Sequence, residues 1–270
     1  MDIKYVRDKI TIKSDRPIRL NQWTGSTLRG AICNKLMQDC IRKDRNCGEC
    51  DSYIMCPNAI LFNNKMTKEN IINPVIINSN YYGIDNIMTN TIEFELVLFG
   101  SGLLVYNNVL EVLKEGVDIS HTNFKLCKHI EDIEIESLKN LELSNHIKVS
   151  FDSPLNLRWL KIGAKFEFKD LMKAILIRTK AVYDLMNMEQ DYRYLALLEK
   201  AEKVEVVRQD TSYVNMVRYS KKNGENKLKC LAGSVEYIGD ASEFIPYMSL
   251  ASLVNIGKWC SMGLGRVSFN

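Results

Sequence analysis

The feature that most constrains this chain is the order of sequence patterns in its second half. Ile147, Val149 and Phe151 alternate with polar residues and predict a half-buried strand over 146–152. An apolar stripe at three- and four-residue spacing predicts a helix over 168–188. Two β-rich runs, a second helix and a short last strand follow at 203–219, 227–238, 242–256 and 266–269. This β-α-β-β-α-β order is that of the ferredoxin-like unit, an antiparallel four-stranded sheet with two helices on one face.

A turn signal lies between the two β-rich runs of this unit. Residues 221–226 read Lys-Lys-Asn-Gly-Glu-Asn and include the dipeptide Asn223-Gly224. Asn and Gly both adopt positive φ readily, which a two-residue hairpin turn requires. We therefore expect the two runs to form a β-hairpin.

The first half shows a looser copy of the same order. Its patterns predict a strand, a helix, a strand, a helix and a last strand at 4–13, 24–41, 91–99, 103–115 and 124–130. We therefore predict an α+β chain of two tandem ferredoxin-like domains, residues 1–143 and 144–270. A cysteine-rich, zinc-knuckle-like insertion at about 40–62 interrupts the first domain.

The composition is that of a globular protein, with 46% hydrophobic and 26% charged residues. Apolar runs such as 174–177 end after a few residues, far short of the roughly 20 that a membrane-spanning helix needs. The N-terminus carries scattered charges and no apolar signal region. We therefore expect a cytoplasmic protein without a membrane partner.

The net charge of +3 conceals an uneven distribution along the chain. Residues 1–45 carry a net charge of +6, residues 46–143 carry −8 and residues 144–270 carry +5. The two basic segments are suited to form a positive surface that attracts the phosphates of a nucleic acid. The alternative is that they are solvated faces of unequal charge.

Eight cysteines in a large chain that we expect in the cytoplasm favour metal ligands or thiols over disulfides. Cys47 and Cys50 form a Cys-x-x-Cys turn, with Cys40 before it and Cys56 after it. Four thiolates at this spacing are able to complete a tetrahedral site, so we predict structural zinc at these residues. The alternative is thiols without metal. A redox pair is disfavoured because no strand precedes the turn.

A glycine-rich segment joins the last predicted helix to the last strand. Three glycines alternate there with cationic, aromatic and hydroxyl side chains, in the order Gly257, Lys258, Trp259, Ser261, Gly263, Gly265 and Arg266. We expect the glycine amides to face outward, the cations to neutralise phosphates and the indole ring to stack on a base. The alternative is that the glycines turn the chain and the indole fills the core.

The same segment, GKWCSMGLGRVSFN, resembles the signature loop of the CRISPR-associated RAMP superfamily, and in particular that of the Cas-six repeat endoribonucleases. Residues 23–31, WTGSTLRGA, resemble the first-helix motif of that family. Residues 47–62 resemble its cysteine-rich branch, and residues 94–100 and 153–158 resemble strands of its two domains. The five segments follow the family's order and cover essentially the whole chain.

The resemblance implies two ferredoxin-like domains and metal-independent cleavage of CRISPR precursor RNA, with no cofactor for catalysis. A ribose 2′-hydroxyl would attack its own 3′ phosphate and leave a 2′,3′-cyclic phosphate and a 5′-hydroxyl. This reaction needs a base, an acid and a cation at the phosphorane. The expected RNA-binding residues are Trp23 and the residues of the glycine-rich segment given above.

The chain departs from many members of that family, which carry a histidine in the first helix. Arg29 and Asn34 stand at such positions here, and the three histidines lie outside the predicted helix. The guanidinium of Arg29 keeps its proton, so it suits a phosphorane clamp and not a base. Lys35 is a candidate for proton transfer, and His146 near the predicted domain junction is an alternative base.

Three functions agree with these patterns. The first is an endoribonuclease that matures CRISPR RNA, and the second is a non-catalytic RNA-binding subunit that contacts other subunits of a CRISPR effector complex. The third is a zinc-stabilised module that binds another RNA or a protein. Cleavage of a repeat RNA in the presence of a chelator separates the first function from the other two.

Overall fold

The computed structural model describes residues 3–38, 40, 47–62, 72–80, 82, 87–131, 134–161, 163–189, 193–220 and 224–270. Within these ranges the chain divides into two compact units, Ile3–Ser137 and Leu138–Asn270. We call them the N-terminal and the C-terminal domain. Each is an α+β unit built on an antiparallel sheet, as the sequence patterns predict.

The N-terminal domain carries a sheet in the order β2-β3-β1-β5-β4, and β6 pairs with the start of β1. Its elements are β1 (Lys4–Arg19), α1 (Thr24–Leu36), α2 (Pro57–Phe62), β2 (Val75–Ser79), β3 (Met88–Phe99), α3 (Tyr106–Glu115), β4 (Val117–Ile119), β5 (Thr122–Lys128) and β6 (Glu136–Ser137). Short 3-10 turns occupy Cys47–Glu49, Tyr53–Met55 and Gly100–Val105. The order β2-β3-β1-β5 is the strand order of a ferredoxin-like sheet.

Period-two alternation explains the central strand of this domain. Ile10 and Ile12 are buried on the helix side of β1, whereas Lys9 and Lys13 are exposed on the other side. Leu28 and Ile32 of α1 are fully buried in the same core. The helix ends at Leu36, five residues earlier than the pattern predicts, and residues 39 and 41–46 lie outside the described part of the chain.

The C-terminal domain carries a four-stranded sheet in the order β10-β7-β9-β8, again the ferredoxin-like order. Its elements are β7 (His146–Leu155), α4 (Phe168–Met186), α5 (Tyr194–Ala201), β8 (Glu205–Ser220), β9 (Gly224–Ile238), α6 (Ile245–Val254) and β10 (Val267–Phe269). Short 3-10 turns occupy Ser242–Phe244 and Cys260–Met262. Within the described ranges of both domains, no helix combines the length and apolar character that crossing a bilayer requires.

Aromatic rings tie the helices of the C-terminal domain to its sheet. Phe168 on α4 meets Tyr237 of β9 edge-on at 5.2 Å between ring centroids, and it meets Phe244 before α6 at 5.4 Å. Such edge-to-face pairs add about 0.5–1.5 kcal/mol beyond the area that they bury. The apolar stripe predicted on this helix is therefore core.

Strands β8 and β9 form a hairpin that is longer than the rest of the sheet. They pair antiparallel from Glu205 and Ile238 to Ser220 and Gly224. Because β7 pairs with β9 no further than Leu231, the outer part of the hairpin extends beyond β7. Residues 221–223 of the predicted Asn-Gly turn lie outside the described residues.

Candidate functional site

The glycine-rich loop, residues 255–266, runs from the end of α6 to β10 in a conformation that glycine alone accommodates. Gly265 has φ +72°, and a Cβ there would lie 1.8 Å from the carbonyl oxygen of Ile256. Gly257 has φ +80°, and its Cβ would lie 2.6 Å from the carbonyl oxygen of Asn156. Backbone passes backbone too closely at both positions for any side chain.

The glycine amides that we expected to face outward bind protein carbonyls instead. The amide of Gly263 donates to Cys260 O at 2.8 Å and that of Gly265 donates to Pro154 O at 3.0 Å, and both glycines are buried. The hydroxyl of Ser153 donates to Gly263 O at 2.7 Å and accepts from the Arg266 amide at 2.8 Å. The prediction of outward amides is therefore wrong for Gly263 and Gly265, which shape the loop.

Trp259 is held at the surface of this loop in a left-handed conformation, with φ 65°. Its indole is half-buried, and the guanidinium carbon of Arg218 on β8 lies 5.1 Å from the ring centroid. The Nε of Arg218 is buried and has no hydrogen-bond partner among the described residues, and burial lowers the pKa of this side chain. The ring is therefore a fixed aromatic surface and not part of the core.

A groove of about 490 Å³ opens beside Trp259, between the outer hairpin, the glycine-rich loop and the segment that follows β7. Four cations line it, at Arg158, Lys227, Lys229 and Lys258. Tyr213 contributes a second aromatic ring, and no Asp or Glu stands among the described residues of the lining. We call this cavity the basic groove.

The cations of the basic groove are poorly compensated. Among the described residues Lys227 pairs with Glu225 at 3.2 Å, whereas Arg158, Lys229 and Lys258 have no carboxylate within ion-pair distance. Burial lowers the pKa of Lys258, and the neighbouring charge of Arg158 lowers it further. Like charges held together in this way favour an anionic ligand.

Sequence reasoning identified Lys258 and Trp259 of this groove and missed most of the other members. Lys227 and Lys229 alternate on β9 with one residue between them, so the two side chains share a face of the hairpin. That period-two charge pattern was a usable signal. Arg158 follows β7 by three residues, and nothing in the sequence indicates which element it faces.

The other predicted RNA-binding residues lie elsewhere. Ser261 and Arg266 are half-buried in the glycine-rich loop and outside the groove lining. Trp23, at the start of α1, is 1% exposed and bridges to Tyr82. The prediction that Trp23 contacts RNA is wrong, because a ring buried in the core offers no face to a base.

Two candidate catalytic residues lie on α1 of the N-terminal domain. The guanidinium carbon of Arg29 lies 4.9 Å from the ring centroid of Phe62, and the side chain is half-buried with its Nε enclosed. The ammonium of Lys35 pairs with Glu115 at the end of α3, at 3.0 Å. Because six residues turn a helix by about 240°, the two cations occupy different faces of α1.

His146, the alternative base, is the first residue of β7 in the C-terminal domain. Its Nε2 lies 3.6 Å from Oε2 of Glu236 on the neighbouring strand, and 54% of its side chain is exposed. It therefore shares no element and no domain with Arg29 and Lys35. Its catalytic role stays a prediction, as do the roles of the two cations.

The four predicted zinc ligands line a single small cavity of about 30 Å³ in the N-terminal domain. The cavity collects Cys40, Cys47, Cys50 and Cys56. Among the described residues, however, no group of three or more His, Cys, Asp or Glu side chains is arranged to hold a metal ion. The zinc site therefore stays a prediction.

Two family models match the chain, one for each domain. Residues 3–147 match the model described as AF_1859_N, an N-terminal domain, and residues 149–267 match the model of CRISPR-associated endoribonuclease Cas6. No curated protein matches the chain by the sequence comparison.

Solved structures with the same fold cover nearly the whole chain. The product complex of Cas6 (TTHB231) is 12% identical with a TM-score of 0.65, and the match covers 99% of each chain. Cas6 (TTHB231) of Thermus thermophilus is 11% identical with a TM-score of 0.60, covering 100% of each. A RAMP protein that binds different RNA substrates is 13% identical with a TM-score of 0.55, covering 98% of this chain and 99% of that one. At sequence identities of 11–13%, the similarity to these structures shows that the chain has the same fold and shows nothing further.

Proposed function

Because residues 149–267 match the model of the CRISPR-associated endoribonuclease Cas6, we propose that the chain is a member of that family, binds the repeat of a CRISPR precursor RNA and cleaves it there. The cleaved RNA is the guide that other subunits of a CRISPR effector complex use, so those subunits are the expected protein partners. We expect this reaction to take place in the cytoplasm.

The basic groove is the observation that carries this proposal. It combines cations that lack carboxylate partners with an aromatic ring fixed at its edge, at Arg158, Lys229, Lys258 and Trp259. Phosphates supply the missing negative charge, and a base gains about 1–3 kcal/mol when it stacks on an aromatic side chain. A groove of about 490 Å³ has the size of a small-ligand pocket, so it accommodates a nucleotide of an RNA strand.

The chemistry that we propose is an intramolecular transesterification. The 2′-oxygen of one ribose forms a bond to the adjacent phosphorus, and the bond from phosphorus to the 5′-oxygen of the next nucleotide breaks. The 2′-hydroxyl loses a proton and the leaving 5′-oxygen gains one, so the products are a 2′,3′-cyclic phosphate and a 5′-hydroxyl. Positioning alone accelerates such an intramolecular attack, and no metal ion enters it.

Arg29 and Lys35 are the residues that we assign to this chemistry. Arg29 is suited to bind the doubly charged phosphorane, because its guanidinium is a permanent, planar donor that already rests on the ring of Phe62. Lys35 is suited to give a proton to the leaving oxygen, with Glu115 beside it as the partner of its ammonium. Neither is a base, so the 2′-proton passes to His146 or to solvent.

A non-catalytic RNA-binding subunit is the second candidate, and the sequence of α1 favours it. The helix contains no histidine, and its two cations are engaged with Phe62 and Glu115. In this alternative the basic groove holds the mature guide RNA and the N-terminal domain contributes no chemistry. Binding without cleavage then is the whole function.

Incubation of end-labelled repeat RNA with the protein, with and without EDTA, tests the two candidates. We expect one cut per repeat that EDTA leaves unchanged, and a 2′,3′-cyclic phosphate on the upstream fragment. Once the cut is mapped, an RNA with a single 2′-deoxyribose at that nucleotide should bind and resist cleavage. Tight binding without any cut supports the second candidate, and absence of binding contradicts both.

A further inference from the structure

Residues 47–56 of the N-terminal domain hold their shape without burying a side chain. Every described side chain of this segment is exposed or half-buried, and Ile54 and Met55 are 70% and 81% exposed. The backbone forms two single 3-10 turns and no longer element. A segment without a core gains little from the hydrophobic effect, so a cross-link between its residues would add to the stability that its backbone hydrogen bonds supply.

The cysteines of this region are placed to supply that link. The amide of Cys40 donates to Met37 O just beyond α1, and the amide of Cys50 donates to Cys47 O at 3.3 Å within the Cys-x-x-Cys turn. Cys56 directly precedes α2. These four cysteines come from four places on the backbone, and all of them line the cavity of about 30 Å³.

The lining of the cavity has the chemistry of a thiolate metal site. Its other members carry no charge, and they are Leu36, Met37, Tyr53, Asn58 and Ala59. The volume corresponds to about one water molecule or one ion. Cys33 is nearby but engaged elsewhere, since its Sγ lies 3.1 Å from Oδ1 of Asn58 and outside the cavity lining. The set is therefore four thiols and not five.

We propose that Cys40, Cys47, Cys50 and Cys56 bind one zinc ion with a structural role. Four thiols give up four protons when they coordinate Zn²⁺, so the site acquires a net charge of −2. Lys35 lines the neighbouring groove together with three of these cysteines, where its ammonium pairs with Glu115. A tetrahedral site of four sulfurs has no open position for water, so the ion orders the segment and takes no part in cleavage.

Among the described residues no group of three or more His, Cys, Asp or Glu side chains is arranged to hold a metal ion, so the four thiols do not form a ready site. Coordination at about 2.3 Å requires the four thiols to turn toward the centre of the cavity that they already line. Residues 41–46, which connect Cys40 to Cys47, lie outside the described residues.

Zinc content of the purified full-length chain tests the proposal. The protein is expressed without a histidine tag and purified without chelator, and zinc per chain is measured by mass spectrometry of the metal. We expect about one zinc in the wild type and less than a tenth of that in Cys50→Ser and Cys56→Ser. Cys33→Ser and Cys127→Ser are the matched controls and should keep the full zinc content, because neither residue lines the cavity.

A second measurement keeps the proposal testable if the serine variants fail to fold. The wild type is stripped of metal and titrated with Co²⁺, which should give the visible and sulfur-to-metal absorption bands of a tetrahedral thiolate site at one equivalent. A full zinc content in Cys50→Ser contradicts the assignment of these four cysteines as zinc ligands. A folded wild type that contains no zinc and gives no cobalt absorption bands contradicts it as well. Brief treatment with a chelator should leave the rate of repeat cleavage unchanged and should accelerate proteolysis within residues 41–62. If cleavage is lost while residues 41–62 still resist proteolysis, the ion does not have the structural role that we propose.

Discussion

The two domains arrange four strands in the same order but hold their irregular segments by different means. In the C-terminal domain the glycine-rich loop is locked by backbone hydrogen bonds, such as the one from Gly265 to Pro154 at 3.0 Å. In the N-terminal domain residues 47–56 bury no described side chain and contain three of the four cysteines that line the small cavity. The two sheets have the same strand order, so the domains differ mainly in the irregular segments that connect their helices and strands.

The cations of the two domains also differ in the partners that they contact. Three of the four cations of the basic groove, Arg158, Lys229 and Lys258, lack carboxylate partners among the described residues, whereas Lys35 on α1 is paired with Glu115. Arg29 lies against an aromatic ring. We therefore expect the C-terminal domain to contribute most of the RNA affinity and α1 to contribute to the chemistry.

The largest effect should come from the backbone of the glycine-rich loop. Gly265→Ala places a Cβ 1.8 Å from Ile256 O at a positive φ, so we expect it to lower the free energy of unfolding by about 4 kcal/mol. Gly30→Ala is the matched control. It lies within α1 with nothing inside 4 Å, so it should stabilise the chain by up to about 1 kcal/mol.

Urea unfolding followed by tryptophan fluorescence measures both variants. The pair is informative because the chemical change is identical and the surroundings differ. If Gly265→Ala lowers the free energy of unfolding by less than about 1 kcal/mol, the glycine-rich loop is not held rigidly by its backbone contacts. The two domains would then not differ in how their irregular segments are held.

The next effect concerns catalysis on α1. Arg29→Ala should raise the barrier to cleavage by about 2–4 kcal/mol, as the loss of one donor to a developing anion does, which is roughly a 30- to 900-fold slower rate. The affinity for the uncleaved repeat should stay within a few-fold. Single-turnover cleavage at saturating protein, together with binding to the 2′-deoxy RNA, separates the two quantities.

Arg29→Lys provides the control for charge. It keeps a cation but not the planar guanidinium, so we expect a rate between those of the wild type and Arg29→Ala. A loss of affinity equal to the loss of rate would show that Arg29 binds RNA in its ground state, and that the division of labour between the domains is wrong.

A smaller effect should follow from the basic groove. The double variant Arg158→Ala, Lys258→Ala should bind repeat RNA about tenfold more weakly, and the slope of log affinity against log salt should shrink by about 1.4 for two lost contacts to single-stranded RNA. The single-turnover rate at saturating protein should be unchanged. Lys180→Ala is the control, since that exposed lysine of α4 pairs with Asp184 and lies outside the groove.

An unchanged affinity and an unchanged salt slope in the double variant would remove the groove from the proposed function. Equal losses in Lys180→Ala would show instead that binding follows the total charge of the domain and not the groove.

The fold was largely predictable because period-two alternation survives in both halves. β7, β8, β9 and β3 lie within a few residues of their predicted bounds. α2 and β2 were missed, since six- and five-residue elements beside an insertion leave no readable period. α5 was missed for the same reason of length.

The candidate site was predictable in part, and its errors have physical causes. Trp23 was assigned to RNA because it begins the segment that resembles the first-helix motif of the family, but tertiary packing buries it. The outward glycine amides were wrong because Pro154 and Cys260 supply acceptors that no sequence pattern shows. Arg158 was missed because the groove joins three segments that are distant in sequence, whereas the alternation of Lys227 and Lys229 on β9 was a signal that could have been used.

The smallest expected effect concerns His146, the candidate base in the C-terminal domain. Its side chain is more than half exposed, and its Nε2 lies 3.6 Å from Oε2 of Glu236 on the neighbouring strand β9. If this histidine were the base, cleavage would slow as pH falls, because a protonated imidazole cannot accept the 2′-proton. We expect instead a rate that is level between pH 6 and 8 and that changes less than about twofold, or about 0.4 kcal/mol, in His146→Ala. A cleavage rate that falls toward low pH in the wild type but not in this variant would assign the base to the C-terminal domain, and the chemistry would then no longer belong to α1 alone.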